Sequence, residues 1–112
     1  MQKIYTPWGK AQQVQKIADG IVRYDTASHG GYKISECRRA MMPEPYKSQE
    51  TFTGGNWYEE DCDWCLLVLS FPKDFSNVPP YKGSTILQQA QQTYNFFIGK
   101  EKNQNEIRSI LP

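Results

Sequence analysis

The spacing of apolar and polar positions divides the chain into a strand-like first part and a helix-like second part. In residues 14–24, Val14 and Ile17 precede an Asp19-Gly20 dipeptide, and Ile21, Val22 and Tyr24 follow it. Asp-Gly between two apolar-rich runs predicts a β-hairpin, because both central residues of the tight turn must tolerate positive φ. Further on, Tyr32 and Ile34 alternate with Lys33. That period of two predicts a strand with one buried face. Upstream, "MQKIYT" alternates weakly and predicts a short strand, closed by a turn at Pro7 and Gly9.

From Ser35 onward the pattern turns helical. Ser35 can cap a short helix over "ECRRAMM", which Pro43 stops. The stretch "PEPYKSQETFTGG", with two prolines and a Gly-Gly pair, predicts a surface loop. Trp64, Leu67, Val68 and Phe71 then fall at i, i+3, i+4 and i+7. Asn56 and Glu59 can form a helix-start box, and the acids between them and Trp64 suit the positive end of a helix dipole. The pattern therefore predicts a helix over 57–71, ended by Pro72, although "WCLLVLSF" also has the character of a buried strand. The clearest helix is "STILQQAQQTYNFFIG". Thr85 and Gln88 can form a capping box, Gly99 can end it, and Ile86, Ala90, Thr93, Tyr94 and Phe97 form an inward stripe.

These elements predict a single α+β domain over 1–99, with a small antiparallel sheet from the N-terminal half packed against two main helices from the C-terminal half. A polar tail, 100–112, carries a small apolar cluster at Ile107, Ile110 and Leu111. A chain of 112 residues can fill one core, and an aromatic content of 13% supplies apolar area despite a mean hydropathy of -0.70. The net charge of +1 lacks the basic excess that phosphate contacts demand, so a nucleic-acid partner is disfavoured. No apolar run is long enough for a membrane span, and the first ten residues lack an apolar signal core. Three cysteines suit reduced thiols in a cytoplasm better than a disulfide framework.

Candidate chemistry concentrates in "NWYEEDCDWC", residues 56–65. Cys62 and Cys65 have the C-x-x-C spacing of a redox pair, but the acids around them disfavour the thiolate that such chemistry needs. His29, Cys37, Cys62 and Cys65 would make a Cys3His zinc set. The gap between His29 and Cys37 is loose for a half-site, and there is no second histidine. Neither a metal nor a cofactor is therefore expected. His29 itself sits between Ser28 and the Gly30-Gly31 pair, where the backbone can turn sharply and other groups can approach. A histidine there can act as acid, base or ligand, with Glu60 and Asp61 as carboxylate partners. The same acids could instead form a structural network with His29 or Arg23. Trp8, Tyr32, Tyr46, Trp57 and Tyr58 lie in or near loops with Gly or Pro, as aromatics of binding surfaces do.

Three blocks, "TPWG" at 6–9, "TASHGG" at 26–31 and "WYEEDCDW" at 57–64, resemble the signature of a small domain family of unassigned function found in bacterial, phage and plasmid proteins. The resemblance covers roughly residues 5–98. It departs at Cys65, where that family usually has a small apolar residue. The resemblance implies that His29 and the Glu59, Glu60, Asp61 run belong to one site or network, and that the setting is a mobile element. Two functional expectations follow. The first is a small cytoplasmic binding protein, with a counter-defence inhibitor as one form. It would engage a host protein or a small charged ligand through Trp8, Ser28, His29, Gly30, Gly31, Trp57, Tyr58 and Glu59. The second is a hydrolase, with metal assistance as one form, in which His29, Glu60 and Asp61 are catalytic.

Overall fold

The computed structural model describes residues 4–78, 83 and 85–97. A two-stranded ribbon comes first: β1 (Tyr5–Thr6) pairs antiparallel with β2 (Gly9–Lys10). The turn between them holds Trp8 and is closed by the Thr6 hydroxyl, which donates to the Gly9 carbonyl at 2.8 Å. The expected Asp19-Gly20 hairpin follows, as β3 (Gln13–Ala18) and β4 (Ile21–Asp25), with Gly20 at φ 81°. Next come β5 (Gly30–Ile34), α1 (Glu36–Met41), β6 (Trp57–Glu59) and α2 (Trp64–Ser70). A third helix, α3, runs through 86–97. The main sheet is antiparallel in the order β3-β4-β5-β6; α1 falls between β5 and β6, and α2 and α3 follow the sheet in the chain, which makes the fold α+β.

The register assigns the two faces of this sheet. Ile21 pairs with Ile34 and Arg23 with Tyr32, and Tyr32 in turn opposes Tyr58 on β6. Ile21, Tyr32, Ile34 and Tyr58 are buried together with Leu66, Leu67 and Val68 of α2 and with Phe71 and Phe75 beyond it. The face carrying Val22, Tyr24, Gly31, Lys33 and Trp57 lies on the other side, because side chains alternate along a strand. Trp8 is laid over that second face.

The segment 57–71 is not one helix. Trp57–Glu59 is an edge strand, residues 60–63 are a turn, and only Trp64–Ser70 is helical. The expected Asn56/Glu59 helix-start box is overturned by this arrangement. Asn56 lies before the strand, where its amide donates to Glu36 at 2.8 Å, and Glu59 is paired to Gly31 across the sheet. The backbone groups of β5 need a partner strand, and 57–59 supplies it. The helical face was foreseen: Leu67 and Val68 are 0% exposed and Phe71 is buried.

Other local signals appear as expected. Ser35 caps α1 by accepting from Arg38 N at 3.1 Å. Thr85 and Gln88 bond reciprocally at the start of α3, at 2.9 and 3.1 Å. Ala90 is buried, while Ile86 and Tyr94 pack against the core. Phe97, expected inward, is 47% exposed. The expected helix stop at Gly99 and the tail 100–112 lie outside the described residues. No helix among the described residues is long and apolar enough to cross a membrane.

Candidate functional site

The three sequence blocks meet at one corner of the sheet. Thr26 closes a tight turn onto His29: its backbone N–H donates to the His29 carbonyl at 2.8 Å, and its hydroxyl accepts from His29 N at 3.1 Å. The same hydroxyl lies 3.4 Å from the Trp8 carbonyl. This turn delivers the chain into β5 at Gly30. The two glycines then serve opposite faces. A Cβ on Gly31 would meet the Trp8 ring at 2.3 Å and the Tyr58 carbonyl at 2.6 Å. A Cβ on Gly30 would meet Arg23 Nη2 at 2.6 Å, Asp25 Oδ1 at 2.8 Å and Glu60 Oε2 at 3.0 Å. The Gly-Gly pair thus admits an indole on one side and an ion cluster on the other.

That ion cluster accounts for Glu60. Arg23 Nη2 lies 2.8 Å from both Asp25 Oδ1 and Glu60 Oε2, and the guanidinium stands over the Tyr32 ring at 5.1 Å. Of the two partners considered for the acids, Arg23 is the one bonded to Glu60. Trp8, on the opposite face, meets Trp57 edge-on at 5.6 Å. Trp57 also touches Tyr24, and Lys33 lies over its ring at 5.1 Å.

Glu59 is 8% exposed and organises the turn into α2. One carboxylate oxygen accepts from Cys62 N at 2.5 Å and Asp63 N at 3.2 Å, and the other from Asp61 N at 3.0 Å. Burial pushes the Glu59 pKa up, but the three amides outweigh it and hold the group below its ordinary value. Asp63, 7% exposed, accepts from Phe52 N at 2.8 Å. Its pKa is raised, first by burial, and further by the neighbouring Glu59 charge. The Cys62 and Cys65 thiols are each pushed up to about 12, mainly by burial and then by nearby acids. Both therefore stay protonated at neutral pH, which removes the nucleophile that disulfide exchange needs.

Glu59, Cys62 and Asp63 place one potential ligand atom each within 4.8 Å of one another. The carboxylates in this set already serve backbone amides, and Cys62 holds its proton, so the set is built for hydrogen bonding more than for a cation. His29 and Cys37 do not join it, and Cys37 is exposed on α1.

His29 is exposed, and its ring makes no hydrogen bond among the described residues. It lines a shallow depression with Trp8, Phe52, Glu59, Asp61 and Cys62. Asp61 is exposed at its rim. The structure therefore brings together Trp8, His29, Glu59 and Asp61, with Gly31 and Trp57 beside them. Ser28 is exposed on the adjoining turn. Tyr58 is turned away: it is 1% exposed, and its hydroxyl lies 3.4 Å from Met42 Sδ in the core.

A family model described as a domain of unknown function, DUF7007, matches residues 1–110. The chain belongs to this family. No curated protein and no solved structure matches it.

Sequence reasoning overlooked the DUF7007 residue that stands out most at this corner. Phe52 is 86% exposed, although its backbone is tied to buried Asp63. The loop around it is ordered by Gly54 N donating to Thr51 Oγ1 at 3.0 Å and by the Thr53 hydroxyl donating to the Trp57 carbonyl at 3.2 Å. A lone Phe between two threonines in "TFTGG" has no periodic companions, and that isolation was its available signal.

Proposed function

We propose that this DUF7007 chain is a small binding protein whose contact face is built by Phe52, Trp8, His29 and Asp61. The single observation that carries this reading is Phe52. A phenylalanine left 86% exposed loses the benefit of burial, yet the loop presenting it is anchored by a buried carboxylate. An anchored, exposed aromatic at the edge of a depression is the form of an interface hot spot, since little ordering entropy remains for binding to cost. The family resemblance, with its mobile-element setting, favours a cytoplasmic host protein as the partner and a counter-defence inhibitor as the concrete role. A small charged ligand in the depression is the minor form of the same reading.

The competing hydrolase reading draws on His29 and Asp61 sharing that depression. It is weakened by three features. Glu60 is engaged by Arg23 beside Gly30, and the lining thiol, Cys62, is poorly ionised at neutral pH. Third, the imidazole has no orienting partner among the described residues, which a general base requires.

The test is site-specific photocrosslinking in lysate of a bacterial host, with a photoreactive phenylalanine analogue at position 52 and, as control, at position 87. A discrete crosslinked host protein is expected from position 52 alone. As an affinity-tagged bait, Phe52→Ala should lose capture of that protein, which the natural chain retains, while the melting temperature stays within about 2 °C, as for a surface change. Equal capture by the variant, or the same crosslinks from both positions, would refute the proposed face.

A further inference from the structure

Phe52 lines two depressions. The first, described above, has Trp8 and Phe52 as its aromatic walls and Glu59 and Asp61 among its polar lining. The second shares Phe52 and Cys62 with the first and is lined by Glu50, Asp63 and Phe97, among others. Among the described residues, four carboxylates and one imidazole line the two, and no lysine or arginine does. Two of these acids, Glu59 and Asp63, are held by backbone amides. The other two, Glu50 and Asp61, are exposed, and their carboxylates make no ion pair among the described residues. Among the described residues, Asp19 is matched by Lys16, Asp25 and Glu60 share Arg23, and Asp74 is matched by Arg38. Glu36 and Glu44 have no ion pair but bond to Asn56 and Ser48, so the described acids whose carboxylates have no partner at all, Glu50 and Asp61, both border depressions that Phe52 lines.

Resting on the reading of Phe52 as a protein-binding face, we infer that its partner presents a basic segment, with an arginine side chain entering the depression between Trp8 and Phe52 and its guanidinium meeting Asp61. The chemistry favours arginine over lysine. A guanidinium stacks flat on aromatic rings and forms a fork that matches a carboxylate, whereas an ammonium is a compact, strongly hydrated point charge. The second depression, with Glu50 and Asp63, supplies the electrostatic attraction for a further cation along the same segment.

The inference is tested by titrating the chain with an eight-arginine peptide, an eight-lysine peptide and an eight-glutamate peptide. Binding is followed by the indole N–H resonance of Trp8 in NMR spectra. The arginine peptide should shift that resonance and bind at least about tenfold more weakly to Asp61→Asn and to Phe52→Ala, since each removes one half of a cation–aromatic–carboxylate contact. It should also suppress crosslinking from position 52. Lysine should bind more weakly, and glutamate should leave Trp8 unperturbed. Equal binding of arginine and lysine, or arginine binding indifferent to both substitutions, would reduce the effect to unspecific attraction and overturn the inference. If Phe52→Ala abolishes capture of the host protein while the arginine peptide neither binds nor competes, the binding face stands and its cationic partner residue does not. If position 52 captures nothing and the peptide does not bind, both are lost.

Discussion

At the scale of single residues, the central pair is Glu59 and Asp63, two buried carboxylates whose titrations pull stability in opposite directions. Glu59 has a folded pKa below its ordinary value of 4.5. Its contribution to stability is complete above that value and is lost as pH falls through the lower, folded one. Asp63 has a folded pKa above its ordinary value of 3.8. The charged form therefore costs stability at neutral pH, and the cost disappears as the group protonates on acidification. We predict that Asp63→Asn, whose amide oxygen can still accept from Phe52 N, is at least as stable as the natural chain at pH 7. The difference should shrink as pH falls through the raised pKa of Asp63 and vanish below the ordinary value. Glu59→Gln should behave conversely, losing stability at pH 7 and converging with the natural chain in acid. Urea unfolding midpoints at a series of pH values check both, and a difference that grows toward low pH in either variant would contradict the assignment.

At the scale of elements, local signals worked where the partners are close in sequence. The Asp19-Gly20 hairpin, the Ser35 cap and the Thr85/Gln88 box each join residues within a few positions, so one stretch of chain contains the whole interaction. Thr85→Ala removes one side of the reciprocal cap and should cost about 1 kcal/mol. Hydrogen exchange should then quicken at the start of α3 and leave the β4–β5 amides unchanged relative to the lost global stability. The helix expected over 57–71 went wrong for the complementary reason. Glu59 has the right spacing from Asn56 for a helix box, but its backbone is claimed by β5, some thirty residues earlier in the chain. Its side chain still caps a turn of the chain, that of residues 61–63, so the acid-rich signal was sound and its position was displaced.

At the scale of the molecule, the three blocks close on one another through the space that glycine leaves. Trp8 rests on Gly31, Trp57 meets Trp8, and Glu60 meets Arg23 over Gly30. Gly31→Ala should cost about 1–3 kcal/mol, because the new methyl faces a backbone carbonyl and a held indole. Gly30→Ala should cost less, since Arg23, Asp25 and Glu60 present flexible side-chain ends that can yield. Denaturant midpoints of the two variants decide this, and the reverse order would show that Trp8 is not fixed as described.

Local spacing carried the vocabulary of the fold: an α+β chain, its hairpin, two helix caps and the buried face of α2. Each depends on period, turn chemistry or near-neighbour spacing, and those are properties of a few consecutive residues. Only the tertiary structure decided the rest. It made 57–59 a strand, matched Glu60 with Arg23, buried Tyr58 and left Phe52 in the open. These outcomes depend on which distant residues compete for the same backbone group, charge or volume, and that competition has no trace in local spacing.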